Sequence, residues 1–233
     1  MKLLAIETAT GAAGVAVASD EGVLAELTVH TARRHIELLH PAIEHVCAVS
    51  GVGLADIDCV GVDIGPGLFT GIRVGVSAAK AIAMALGIPS VAVTSLEAIR
   101  AAAVDAGAPV EVVPVVDLRR GEVAWSYAAG VAWGPASKLV TEIGALEEDH
   151  VVFAGDGALR YREVFETTEH PGWRVAGRSV AFPPVASVAV LALGAVREGR
   201  TLDPAHLAPC YLREADTRIN WTTRHDGPAP EGR

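Results

Sequence analysis

Short apolar runs and amphipathic stretches alternate along this chain, and the alternation is written twice. The first half opens with extended runs at residues 3–8, 14–18 and 23–29, which predict strands. A helix is predicted over 35–49, where Ile36, Leu39, Ile43 and Val46 recur at spacings of three and four. Pro41 should bend it, because proline has no N–H for the carbonyl of Glu37. A strand at 59–64, a helix at 71–86, a strand at 90–93 and a helix at 96–103 complete this unit. The second half begins again with strands at 112–117, 122–127 and 131–140 and a short helical piece at 141–148. A strand at 151–154, a helix at 159–166, a strand at 173–176 and a helix at 186–197 follow. Strands first, then alternating helices and strands, twice over, predict a duplicated α/β fold of two lobes with mixed sheets flanked by helices.

Gly107 and Pro109 punctuate the junction, placing an N-terminal lobe at 1–104 and a C-terminal lobe at 105–213. Residues 214–233 turn polar and contain Pro and Gly, so a flexible tail is expected there.

Apolar residues make up 51% of the chain but aromatics only 5%, so the core must be built from small, closely packed side chains. The formal net charge is −9 and the Lys and Arg residues are dispersed, which leaves no footprint for independent nucleic-acid binding. Cys47, Cys59 and Cys210 lie far apart and outside any C-x-x-C, which predicts reduced core thiols and a cytoplasmic protein. No basic segment followed by an apolar stretch and a cleavage site opens the chain, so no signal peptide is expected. The uncharged stretch 179–196 contains Pro183 and Pro184 and falls short of the ~20 apolar residues that span a bilayer, so it reads as a buried helix.

The densest signal is Gly65-Pro66-Gly67-Leu68-Phe69-Thr70-Gly71-Ile72-Arg73-Val74-Gly75, a glycine-rich turn from strand to helix. Thr70 is placed to cap that helix, and Gly71, Gly75, Ala78, Ala79, Ile82 and Ala85 form a face that another helix could approach closely. The turn is neither familiar phosphate loop: Thr70 stands where a dinucleotide fingerprint needs its third glycine, and the chain has no Gly-Lys pair for a P-loop. His30, His35, His40 and His45 recur every five residues, a step of about 140° on a helix, so they read as surface or interface groups and not as a metal site. Gly-x-Ser-x-Gly and His-Glu-x-x-His motifs are absent, which removes hydrolase and zinc-protease mechanisms.

Residues Leu4-Ala5-Ile6-Glu7-Thr8-Ala9-Thr10, the Gly65–Gly75 run, Val116-Asp117-Leu118-Arg119-Arg120-Gly121-Glu122-Val123 and Pro209-Cys210-Tyr211-Leu212-Arg213 occur in the order seen in TsaB proteins. The chain resembles that family from about residue 2 to 213. The resemblance implies a duplicated actin-like and sugar-kinase-like fold, and a subunit of bacterial tRNA threonylcarbamoyladenosine biosynthesis. In that superfamily Glu7, Thr8 and Thr10 would occupy the segment that faces nucleotide phosphate and metal, and Gly155-Asp156-Gly157 a second phosphate-facing turn. Both are read as inherited turn geometry, so no cofactor is expected to be required; ATP or ADP binding in the cleft is the alternative.

TsaD, the catalytic sister family, carries a His-x-x-x-His metal pair where this chain has Ser95 and Ile99, and isoleucine cannot ligate a metal. No metal site and no catalysis are therefore expected. The resemblance implies a non-catalytic partner of a TsaD-like subunit, docked through Ile36, Leu39, Ile43, Val46, Phe69, Gly71, Val74, Gly75 and Ala78. A TsaE-like ATPase would join the complex, tRNA would be met only through it, and the free chain would form a homodimer by much the same surface. The competing readings are a nucleotide-dependent small-molecule kinase using the cleft at Glu7 and Asp156, and a metal-dependent protease, which Ser95 and Ile99 count against.

Overall fold

The computed structural model describes residues 1–31, 34–108, 111–127, 130–146, 149–167 and 169–212. Two five-stranded mixed sheets repeat one topology. The first comprises β1 (Lys2–Glu7), β2 (Ala12–Ser19), β3 (Gly22–His30), β4 (Cys59–Asp63) and β5 (Ser90–Val93), in the order β3-β2-β1-β4-β5. Its β1–β2 and β2–β3 pairs are antiparallel, while β1–β4 and β4–β5 are parallel. The second comprises β6 (Glu111–Arg119), β7 (Glu122–Tyr127), β8 (Gly130–Pro135), β9 (Val151–Ala154) and β10 (Arg174–Val175), in the order β10-β9-β6-β7-β8. The duplicated α/β architecture expected from the sequence is the one present.

Helices α1 (His35–Ser50), α2 (Phe69–Leu86) and α3 (Ser95–Asp105) belong to the first half, and α4 (Ala136–Gly144), α5 (Asp156–Arg160), α6 (Arg162–Phe165) and α7 (Val185–Arg197) to the second. Central strand β1 is covered on both faces, which is why it reads as an unbroken apolar run. Leu4 and Ile6 join Val60, Val62, Leu39, Val46, Ile72 and Val76 under α1 and α2. Leu3 and Ala5 face the opposite way and join Val91, Val185, Ala189 and Ala192. Helix α3 opens on a capping box in which the Thr94 hydroxyl accepts from Glu97 N at 3.2 Å and Thr94 N donates to the Glu97 carboxylate at 2.8 Å. It then ties the two sheets together, burying Leu96, Ile99 and Ala103 against Val112, Val116 and Ala154.

Several expectations change. The strand expected over 131–140 ends at Pro135, and α4 begins at Ala136, because Ala136, Leu139 and Ile143 fall on one helical face and fill the second core. The helix expected over 159–166 is two short pieces divided at Tyr161. Helix α7 does not stay with the second lobe: it covers the first sheet, and the segment after it bonds Leu202 to Ser90 and Cys210 N to the Ile64 carbonyl. The chain from 185 to 212 therefore packs with 1–104, whatever its place in the sequence. Thr70 does not cap α2, whose N-cap is Leu68 without a side-chain bond. By length and composition α2 could cross a membrane, a point the sequence reading passed over; here Ile72, Val76, Ala79 and Ala83 are core residues of the first sheet. Glu148, at the end of the helical piece expected over 141–148, and the tail 214–233 lie outside the described residues.

Candidate functional site

The parallel pairing of β1 and β4 sets Ile6 beside Val62, so the next residues, Glu7 and Asp63, end neighbouring strands on one face. Both are buried. Glu7 Oε1 accepts from Ala9 N at 2.8 Å, Thr10 N at 3.2 Å and Thr10 Oγ1 at 3.3 Å, closing the turn into β2. Asp63 Oδ1 accepts from Gly65 N and from Ser95 Oγ, each at 2.8 Å, while its Oδ2 is buried without a partner among the described residues. Burial, then the charge of Asp63, pushes the Glu7 carboxyl well above the usual carboxylate range against the pull of its hydrogen bonds. Burial likewise raises Asp63 to about 7, opposed by the Gly65 and Ser95 bonds. Both carboxyls thus lie inside the protein, shifted toward their protonated forms by burial.

The glycine run packs on the turn that Glu7 closes. Leu68 N donates to the Ala9 carbonyl at 2.6 Å, and Thr8 Oγ1 donates to the Gly71 carbonyl at 2.8 Å. A methyl at Gly71 would fall on the Thr8 carbonyl oxygen, and one at Gly75 on the Thr8 hydroxyl. The start of α2 thus lies directly on the turn between β1 and β2, and Glu7, Thr8 and Thr10 are 1%, 0% and 2% exposed. Close approach was the correct reading of these glycines, but what approaches is the chain's own β1 turn and not another helix.

Asp156, between Gly155 and Gly157, opens α5 in the second half of the chain. Its Oδ1 accepts from Asp117 N at 2.9 Å, and burial, reinforced by the Asp117 charge, raises its carboxyl to about 6. Asp117 pairs with Arg119 at 3.0 Å and Arg160 at 3.4 Å. Gly155 and Gly157 both press on Val115 of β6. Asp156 lines a cavity of about 610 Å³ with His30, Leu159, Arg162, Gly177, Arg178, Ala181 and Phe182, and Glu7, Thr8 and Thr10 are not among its walls. A methyl at Gly11, next to Thr10, would meet the Phe182 ring at 3.1 Å, so this cavity adjoins the β1–β2 turn. His30, Arg178 and Phe182 were missed, since they reach it from separated parts of the chain and form no sequence motif. Among the described residues no group of three or more His, Cys, Asp and Glu could hold a metal ion. Ser95 is committed to Asp63, and Ile99 is fully buried between the lobes.

The helix surface is also redrawn. Leu39, Ile43 and Val46 are buried against β1, β2 and β4, so the apolar stripe of α1 is its inward face. Gly71 and Gly75 face inward too, and Val74 and Ala78 are half-buried on the same core. Of the residues assigned to the interface, Ile36 and Phe69 remain exposed, at 71% and 38%; Val49 and Met84, each 60% exposed, were not singled out. His35 is buried, not a surface group, and its Nε2–H donates to the Thr10 carbonyl at 3.0 Å and the Ala12 carbonyl at 3.1 Å.

A family model described as "TsaD: tRNA N6-adenosine threonylcarbamoyltransferase" matches residues 16–221, and the chain belongs to that family. An Escherichia coli relative, "tRNA threonylcarbamoyladenosine biosynthesis protein TsaB", is 27% identical over 220 residues, covering 91% of this chain and 95% of its own. An uncharacterized protein of Mycobacterium tuberculosis is 34% identical over 221 residues, covering 93% of each. The solved structure "YeaZ from Pseudomonas aeruginosa" superposes with a TM-score of 0.78 at 25% identity, over 91% of this chain and 99% of that one. Within the family, the chain is of the TsaB kind that its sequence resembles.

Proposed function

We propose that this chain is the non-catalytic, TsaB-type subunit of tRNA threonylcarbamoyladenosine biosynthesis, which binds a TsaD-type transferase and holds it in its competent conformation. The observation that supports this most is the turn at Glu7–Thr10, whose side chains are buried and bonded within the chain and against which α2 packs. Ser95 is spent on Asp63, and Ile99 offers no ligand atom. The outward surface of α1 and α2 is mixed: Ile36, Val49, Phe69 and Met84 are exposed beside Glu37, Glu44 and Arg73, and large apolar side chains left outward among charges favour a protein partner. The subunit acts by binding one conformation of its partner better than another, which shifts the partner toward that state. In this reading a TsaE-type ATPase completes the assembly in the cytoplasm, tRNA is met through the complex, and the free subunit pairs with itself through the same helices.

The test is co-purification with the TsaD-type protein of the same organism, followed by threonylcarbamoyl transfer to tRNA with and without this chain. A stable complex, transfer that depends on the chain, and no transfer by the chain alone are expected. Transfer by the isolated chain, or a tightly bound metal whose removal abolishes an activity of the isolated chain, would overturn the reading. The kinase-like alternative needs Glu7 and Asp156 around one nucleotide, and the burial of the Glu7 carboxyl counts against it; calorimetry with ATP and Mg²⁺ on the isolated chain tests it directly.

A further inference from the structure

The N-termini of α1 and α2 lie side by side, since His35 bonds to the Thr10 and Ala12 carbonyls while Gly71 rests on Thr8 of the same turn. At that end, Arg73 lays its guanidinium over the Phe69 ring, 3.9 Å from the centroid. Its Nε–H donates to Tyr211 Oη at 2.8 Å, and the Tyr211 and Phe69 rings meet at 5.1 Å. Phe69 and Tyr211 are 38% and 41% exposed, and Ile36 stands on the adjoining helix end.

A guanidinium has five N–H donors, and Arg73 uses one; it makes no ion pair with a carboxylate among the described residues. The remaining donors sit on a planar edge matched to the two oxygens of a carboxylate. The two rings and the phenol hold the side chain in place, so little rotamer freedom is left to lose on binding. Aromatic residues around an arginine are the composition of a protein-binding hot spot. Nucleic acid is the poorer fit: it is bound by arrays of cations, and this chain carries a formal charge of −9 with a single arginine in the cluster.

We infer that Arg73, positioned by Phe69 and Tyr211, is the anchor that receives an aspartate or glutamate side chain of the protein docked on the α1–α2 face. This rests on the partner-binding reading given above. The anchor is completed by chain that arrives from far away, since Tyr211 follows the return of the C-terminal segment along α2, where Lys80 Nζ donates to the Ala205 carbonyl at 2.8 Å.

Affinity for the TsaD-type protein is measured for the full chain and for Arg73→Glu, Arg73→Lys and Tyr211→Phe, with melting temperatures alongside. Arg73→Glu should weaken binding roughly a hundredfold or more, and Arg73→Lys roughly tenfold because the planar fork is lost. Tyr211→Phe should weaken it a few-fold, with all melting temperatures close to wild type. Wild-type affinity should fall as salt rises, as should that of Arg73→Lys, which keeps the charge, whereas Arg73→Glu should lose that dependence. One carboxylate-to-lysine change on the partner should restore binding to Arg73→Glu. Wild-type binding with an unimpaired Arg73→Glu overturns the anchor and leaves the partner-binding reading standing, whereas absence of wild-type binding removes both. A loss that appears only with tRNA present, or only in self-association, assigns Arg73 to RNA phosphate or to a second copy of the chain and also overturns the inference.

Discussion

Replacing Gly75 by alanine puts a methyl where the Thr8 hydroxyl lies, and the cost can be assembled from its neighbours. Ile6 Cγ2 at 3.5 Å and Thr8 Cβ at 3.6 Å would be ordinary contacts, so the obstacle is the hydroxyl. That hydroxyl donates to the Gly71 carbonyl at 2.8 Å inside the core. Displacing it forfeits a hydrogen bond worth about 1 kcal/mol net, and overpacking adds ~1–3 kcal/mol. Alanine regains about 1 kcal/mol of helix propensity over glycine. The net loss is about 1–3 kcal/mol, or roughly 2–12 °C in melting temperature for a chain of this size. Thr8→Ala removes the obstacle, so in that background Gly75→Ala should cost nothing or stabilise by up to about 1 kcal/mol, giving a coupling of about 1–4 kcal/mol. Thermal and urea unfolding of the wild type, both single variants and the double variant measures this cycle. Additive effects would refute the packing argument. So would a Gly75→Ala protein of unchanged stability that had lost only its partner, because Gly75 would then face outward.

The two sides of α1 should behave oppositely. Leu39→Ala, in the core of the first sheet, should cost about 2–5 kcal/mol of stability by denaturant titration; Ile36→Ala, 71% exposed, should leave stability within about 0.5 kcal/mol yet weaken partner binding, and a reversed pattern would invert the orientation of the helix. Asp63 should make stability fall with rising pH: its folded carboxyl holds a proton up to about 7, whereas the unfolded one releases it near 3.9, so the folded state binds more protons in between. Its contribution is present in full below about pH 4 and is lost as pH rises through about 7. Relative to Asp63→Asn, the wild type should therefore lose about 2 kcal/mol between about pH 5.5 and pH 8. A difference between the two proteins that does not vary with pH would place the Asp63 carboxyl in contact with water.

Much of the fold was legible because its local signals agree with its packing. Three strands and alternating helices, written twice, announced two mixed sheets, and Thr94 with Glu97 marks the start of α3. The strand expected over 131–140 failed because its apolar residues also satisfy a helical period after Pro135, and only the second core, which needs Leu139 and Ile143 on one side, decides between the two. Periodicity along α1 identified an apolar stripe, but a stripe carries no address. Leu39, Ile43 and Val46 could face a sheet or a partner equally well until β1 and β2 were seen beneath them. The glycines of α2 likewise stated that something comes close without stating what; the Thr8 carbonyl and hydroxyl are the answer.

Sequence alone thus determined the family, through motifs in order, and most of the element types, through period and turn chemistry. Tertiary structure decided which faces were left over. It buried Glu7 beneath α2, brought His30, Asp156 and Phe182 to one cavity, and returned α7 and Tyr211 from the end of the chain to the first lobe. Period and turn propensity are properties of neighbours along the chain, whereas burial, desolvation and the meeting of Phe69, Arg73 and Tyr211 depend on residues up to 142 positions apart in the sequence numbering, brought together only by packing.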